Sequence, residues 1–228
     1  MSLFGCTQSK ITNMKKTAII LIIFLAFAYS SYGQNGQNME IYFSNPISID
    51  SSSIILIPVR YNAKESTNSS KAHMRRNYLA NILFINTSQN TERYLFENNT
   101  FIVPIKKTDG YYYYSKIGSR QRGTANICSK KILYLVKNND KNGNRKIDRY
   151  DPNILYVSDI NGMNLQCLTS KNENAVDFFV DEDKNTIMVK IQRDYNQDNV
   201  FSHDDKDYYY IIFDYRTLKE IKKINIKN

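Results

Sequence analysis

The sequence predicts an all-β fold built from repeated four-stranded units, and three observations support this. Short runs of β-branched and aromatic residues alternate with polar turns after residue 40, as is typical of strands joined by hairpins. No stretch after residue 33 shows the 3.6-residue apolar period of an amphipathic helix. A layout of hairpin, loop and second hairpin recurs along the chain, which indicates a repeat architecture.

The first 33 residues have the features of a secretory signal peptide. Two lysines precede the apolar stretch Thr17–Ala28, and small residues stand at the −3 and −1 positions of a cleavage site before Gln34. The stretch is shorter than the roughly 20 residues that cross a bilayer, so we expect cleavage and no stable membrane span afterwards. Translation starts at Met1 or at Met14, which directly precedes the lysines. The expected location is therefore secreted or periplasmic, with a single domain over residues 34–228.

Charge and cysteine content exclude one class of partner and leave one question open. The formal net charge is +9, but the lysines are scattered and form no arginine-rich stripe, so we expect no nucleic-acid partner. Cys128 and Cys167 both lie in apolar, strand-like sequence. In an oxidising compartment they form either a disulfide or two buried thiols.

Three four-stranded units are predicted, at about residues 47–97, 126–169 and 176–224. Their first hairpins pair Ile47–Asp50 with Ile54–Val59, Asn126–Cys128 with Ile132–Val136, and Val176–Val180 with Ile187–Ile191. Their second hairpins pair Asn81–Asn86 with Arg93–Phe96, Asn153–Ser158 with Leu165–Thr169, and Tyr208–Phe213 with Leu218–Ile224. A period of this length is in the range of radially arranged β-sheets.

The segment Asn153–Thr169, which reads NILYVSDINGMNLQCLT, resembles the repeats of TolB-like, WD40-like β-propellers. Such repeats contain an apolar strand, Asp, Gly and a strand that ends in Leu-Thr. The resemblance implies propeller-like blades. Closed TolB-like rings have about six blades, whereas this chain has room for three or four. It therefore forms an open array or a small propeller, or it completes a ring as a homo-oligomer.

Two twelve-residue acidic loops follow one plan: Asp140–Asp151, here called loop 1, and Asp194–Asp205, called loop 2. Each has side-chain oxygens at positions 1, 3 and 5, an apolar residue at position 8 and a carboxylate at position 12. This spacing wraps hard oxygen ligands around Ca²⁺, which requires six to eight of them. We therefore predict one or two calcium ions.

The predicted ligands are assigned by their position in the loop. In loop 1 they are Asp140, Asn142, Asn144, the carbonyl of Lys146, Asp148 and Asp151. In loop 2 they are Asp194, Asn196, Asp198, the carbonyl of Val200, Ser202 and Asp205. Ile147 and Phe201, at position 8, are expected to point inward.

Departures from the EF-hand pattern rank the two loops. Position 6 holds Arg145 or Asn199 instead of glycine, and position 12 holds Asp instead of Glu. Loop 1 contains four lysine or arginine residues and loop 2 contains none, so we expect loop 2 to bind calcium more tightly. The alternative is that both loops are polar surface turns. Dockerin-like docking is disfavoured, because Pro152 and a predicted strand follow the loops where a dockerin has a helix.

The sequence favours a non-catalytic interaction module over an enzyme. It contains two histidines and no Gly-x-Ser-x-Gly, HExxH or phosphate-binding glycine loop after residue 33. The tyrosine runs Tyr111–Tyr114 and Tyr208–Tyr210 predict an aromatic face for a protein or glycan partner. The alternative is a secreted glycoside hydrolase with an unidentified carboxylate pair.

Overall fold

A computed structural model describes residues 40–49, 52–62, 77–108, 111–114 and 130–226, with backbone only for 105–108 and 111–114. Within these residues the chain forms fifteen strands. They are β1 (Ile41–Phe43), β2 (Ile47–Ser48), β3 (Ile54–Tyr61), β4 (Leu79–Asn86), β5 (Thr91–Tyr94), β6 (Phe101–Ile102), β7 (Ile105–Thr108), β8 (Tyr111–Tyr114), β9 (Lys131–Lys137), β10 (Ile154–Asp159), β11 (Gln166–Cys167), β12 (Asn174–Asp181), β13 (Thr186–Gln192), β14 (Tyr208–Asp214) and β15 (Glu220–Asn225).

All recorded strand pairs are antiparallel, and the sheets of the described residues are open. A nine-stranded sheet has the order β1-β3-β4-β6-β9-β10-β11, with β2 on β3 and β5 on β4. A second sheet is the four-stranded meander β12-β13-β14-β15. The hairpin of β7 and β8 stands alone as a two-stranded sheet. The predicted all-β fold with propeller-like units is confirmed.

The middle unit is apolar on both faces because its strands are continuous hydrophobic runs. Strand β9 reads KILYLVK and β10 reads ILYVSD. Alternate residues such as Tyr134 and Tyr156 join a core with β3 and β4 of the first unit. The intervening residues, such as Leu135 and Leu155, join a core with β12, β13 and β14 of the third unit. The middle unit therefore contributes one face to a core with the first unit and the other face to a core with the third unit.

The hairpins that the sequence predicts are present where the chain is described. Units one and two differ from the prediction because they share one sheet. The two-residue strand β6 makes the link, since Ile102 pairs with Leu79 of β4 and with Val136 of β9. The third unit forms the predicted meander with bulges at Ala175/Asp177 and Ile212/Phe213.

Several predictions fall outside the described residues, among them the signal segment 1–33, the strand Asn126–Cys128 and Cys128 itself.

The described residues from Glu40 onward belong to one compact unit. Cys167, predicted to be a buried thiol if unpaired, is exposed and free, because β11 is a two-residue strand at the end of its sheet. Over the described ranges, no helix is both long and apolar enough to cross a bilayer.

Candidate metal-binding loops

Both loops connect the inner strands of a unit. Loop 1 joins β9 to β10 and loop 2 joins β13 to β14. The two loops are in direct contact, because the N–H of Phe201 donates a hydrogen bond of 2.9 Å to the carbonyl of Tyr150. This bond joins position 8 of loop 2 to position 11 of loop 1.

In each loop, the buried carboxylate at position 12 accepts hydrogen bonds from the loop backbone. Asp151 and Asp205 are both fully buried. Asp151 accepts the N–H groups of positions 2 and 9 at 2.9 and 2.8 Å. Asp205 accepts those of the same positions at 2.9 and 3.0 Å. Each carboxylate therefore clamps both halves of its loop.

The oxygens at positions 1, 3 and 5 also have equivalent contacts in the two loops. Position 1 accepts the N–H of position 6, at 2.6 Å in loop 1 and 3.0 Å in loop 2. Position 3 accepts the N–H of position 5, and position 5 accepts the N–H of position 7. At position 6, Arg145 and Asn199 have φ values of +61° and +62°, so both adopt the left-handed conformation for which EF-hand loops use glycine.

The apolar residues at position 8 differ in depth. Phe201 is 6% exposed, which confirms its predicted inward orientation. Ile147 is half-buried. Loop 2 is therefore held to the core by a larger buried side chain than loop 1 is.

Position 1 marks a second difference between the loops. Both oxygens of Asp140 accept backbone N–H groups. In Asp194, Oδ2 accepts the N–H of Asn199, while Oδ1 is buried and has no hydrogen-bond partner among the described residues. A buried carboxylate oxygen without a partner is costly and is a natural position for a cation.

Two residues at strand ends, Lys137 and Gln192, hydrogen-bond to the last residues of the loops. The sequence motifs did not include them. Strand β9 ends at Lys137, whose ammonium donates to the carbonyls of Asp151 and, at 3.5 Å, Arg149. Strand β13 ends at Gln192, whose Nε2 donates to the carbonyls of Asp205 and Ser202 at 2.8 and 2.7 Å. The available signal is a polar residue that ends an otherwise apolar strand.

A chain of partly buried amides extends from loop 2 toward the end of loop 1. Gln192 Oε1 accepts a 2.8 Å hydrogen bond from Asn174 Nδ2. Asn174 Oδ1 in turn accepts the backbone N–H of Asn153 at 2.8 Å. Asn153 lies two residues beyond Asp151, so the amide chain links the two loops through the sheet interface.

Burial shifts the pKa of two groups at loop 1. Burial raises the pKa of the Asp151 carboxyl above its usual value, and the N–H groups of Asp148 and Lys141 oppose this shift. Burial lowers the pKa of Lys137 to about 8, against the attraction of Asp151 and Asp148.

The side chains of the predicted ligands hydrogen-bond within their own loops, and the position 12 carboxylates accept backbone N–H groups. Among the residues described, no three Asp, Glu, His or Cys side chains converge into a metal-sized group. A loop of this type also relies on Asn, Ser and carbonyl oxygens, such as those of Asn142, Asn196 and Ser202. The calcium prediction therefore remains a prediction.

The second tyrosine run divides between two faces of β14. Tyr209 is 1% exposed, and its hydroxyl donates to Glu173 at 2.8 Å. Tyr208 and Tyr210 are half-buried on the opposite face of the strand. The ammonium of Lys190 lies 4.6 Å from the Tyr208 ring centroid. The side chains of Tyr111–Tyr114 fall outside the described set.

No protein-family model matches the sequence. No curated protein matches it. One matching solved structure is the β-propeller domain of the Trilobed protease from Pyrococcus furiosus, described as having an open velcro topology. The alignment covers 84% of this chain and 44% of that chain, at 14% identity and a TM-score of 0.38. This chain thus spans less than half the length of that chain, and its all-β fold rests on its own strands and registers.

Proposed function

We propose that the protein is an exported, non-catalytic β-repeat module that binds calcium through loop 2 and more weakly through loop 1. The observation that carries this proposal is the buried, unpartnered Oδ1 of Asp194, at position 1 of loop 2. Oxygens at positions 3 and 5 follow, and the left-handed residue at position 6 turns the chain as a calcium loop requires.

The position 12 carboxylates can organise a loop and still take part in metal binding. An ionised carboxylate has about four lone-pair sites. Asp205 uses two of them for backbone N–H groups, so two are left for an ion. Loops of this type in extracellular modules bind calcium at about 10⁻⁴ to 10⁻³ M. The signal segment would deliver the protein to a compartment that supplies such concentrations.

Calcium would then act as a structural tie. Loop 2 joins the two central strands of the third unit's sheet. The free energy of calcium binding adds to folding because the unfolded chain has no formed site. The TolB-like resemblance of Asn153–Thr169 supports the same role in a stack of blade-like sheets.

Thermal unfolding in EDTA and then in millimolar calcium tests this proposal. Calcium should raise the melting temperature of the protein and of an Asp183→Ala control, whose exposed aspartate lies outside both loops. Asp194→Ala should reduce the rise more than Asp140→Ala does. An equal calcium response in all four proteins would refute the assignment of the site to these loops.

For the interaction partner, we propose a protein or a glycan that contacts the outer face of the third unit, formed by β12, β13 and β14. This face lies opposite the buried one and consists of Asp177, Phe179, Met188, Lys190, Tyr208, Tyr210 and Ile212. Phe179 is 49% exposed, so apolar area remains available to a partner. Binding to arrayed oligosaccharides and peptides should be lost in Tyr210→Ala and kept in Tyr195→Ala, a loop 2 residue that is 72% exposed. Release of reducing sugar ends would support the hydrolase alternative instead.

A further inference from the structure

Lys137 and Gln192 occupy comparable places in the second and third units. Each is the last residue of the strand that leads into its loop. Each is buried, with 4% and 6% of its surface exposed. A buried polar side chain at such a position needs a hydrogen-bond partner, and both side chains find one in the loop that follows.

The contacts of the two side chains are also comparable. Lys137 donates to the carbonyl of position 12 and, at 3.5 Å, to that of position 10 in loop 1. Gln192 donates to the carbonyls of positions 12 and 9 in loop 2, at 2.8 and 2.7 Å. Each side chain therefore fixes the exit of its loop. The chemical difference is that Lys137 brings a positive charge and Gln192 does not.

This charge is buried against the backbone of loop 1. Asp151 and Asp148 both interact electrostatically with the Lys137 ammonium. Water screens charges weakly at a buried position, so the ammonium also repels any divalent ion bound by these acids. Among the residues that the structure describes, no buried lysine or arginine contacts loop 2. Arg193, beside its first residue, is paired with Asp207 through two contacts of 3.1 Å.

We propose that Lys137 is the resident cation of loop 1, where it stabilises the loop without a bound metal and weakens calcium binding. This inference rests on the proposed calcium function of the loops. It assigns the difference between the loops to one buried residue outside both twelve-residue motifs. The exposed basic residues of loop 1, such as Lys146, lie in solvent and have a smaller effect.

Calcium titration of Lys137→Gln tests the proposal, with Lys146→Gln as the control that removes an equal charge from an exposed position. Glutamine keeps an amide donor for the exit carbonyls, as Gln192 does in loop 2. We expect Lys137→Gln to bind calcium at loop 1 about ten-fold more tightly than the unmodified protein. Lys146→Gln should change this affinity by less than about two-fold. Equal loop 1 affinities in the two variants would overturn the proposal.

Amide hydrogen exchange in EDTA provides a second, metal-free test. The N–H groups of Arg145 and Asp148 bond to the carboxylates of Asp140 and Asp151, so their protection reports on loop 1. In Lys137→Gln they should exchange about ten-fold faster, and Lys146→Gln should match the unmodified protein. If the unmodified protein binds no calcium at either loop, the proposed function fails and this exchange result alone decides the inference. Unchanged exchange in Lys137→Gln would then overturn it.

Discussion

The substitution Asp205→Asn tests whether the position 12 carboxylate organises loop 2 before any metal binds. Asp205 is fully buried and accepts N–H groups from Tyr195 at 2.9 Å and Ser202 at 3.0 Å. Asparagine keeps one acceptor oxygen and presents an NH₂ group to the second N–H. One hydrogen bond is lost, and two donors are left facing each other in a buried place.

The expected cost follows from these contacts. A hydrogen bond to a charged acceptor contributes about 1.5–3 kcal/mol, and an unsatisfied buried donor costs about 1–3 kcal/mol. Because some relaxation is expected, we predict a loss of about 3 kcal/mol in the free energy of unfolding. For a domain of this size that corresponds to a melting temperature lower by about 6–12 °C.

The assay is thermal unfolding in EDTA, with Asp204→Asn as the control. Asp204 is exposed, and its substitution removes the same charge from the position next to Asp205. Its melting temperature should stay within about 1–2 °C of that of the unmodified protein, since exposed substitutions usually change stability by less than about 0.5 kcal/mol. Equal melting temperatures for the two variants would refute the reasoning, because loop 2 would then not depend on the buried carboxylate.

Three further predictions concern the sheets and turns. Leu135→Ala, in the core between the second and third units, should destabilise the protein by about 2–5 kcal/mol in chemical denaturation; a loss below about 1 kcal/mol would argue against a packed interface. Gly162→Ala should cost about 1–3 kcal/mol more than Gly143→Ala, because both glycines have positive φ but only at Gly162 would a Cβ lie 2.7 Å from the Phe84 ring. Hydrogen bonds from the backbone N–H of Thr217 and, second in effect, from its hydroxyl lower the pKa of Asp214. The stabilisation that this carboxylate provides is therefore present above the unfolded pKa of about 3.9 and lost as the pH falls through the folded value. Asp214→Asn should be less stable than the unmodified protein at pH 7, and this difference should shrink as the pH falls below about 3.9.

The strand pattern was predictable because alternation and turn chemistry are local properties. The predicted hairpin of Tyr208–Phe213 with Leu218–Ile224 is confirmed as β14 and β15, whereas the burial of β9 on both faces was not predicted. The joining of units one and two was not predictable. It depends on the two-residue strand β6, which is too short to leave a periodic signal.

The loop plan was also predictable, since the spacing of oxygens fixes which N–H groups they reach. Arg145 counted as a departure from the motif because arginine is a poor residue for a positive φ, yet its φ is +61°. The roles of Lys137 and Gln192 were missed because they lie outside the motif. Their function depends on which carbonyls the folded loop brings back to the strand end, and that is a tertiary property.

Calcium binding by loop 2 is the central claim, and isothermal titration of calcium into metal-free protein at pH 7 tests it most directly. We expect saturable binding at about 10⁻⁴ to 10⁻³ M or tighter, with one site of higher affinity that is absent in Asp194→Ala and present in Asp140→Ala. A titration without heat of binding, together with equal melting temperatures in EDTA and in millimolar calcium, would contradict the account. Both loops would then be hydrogen-bonded surface turns of an all-β repeat protein.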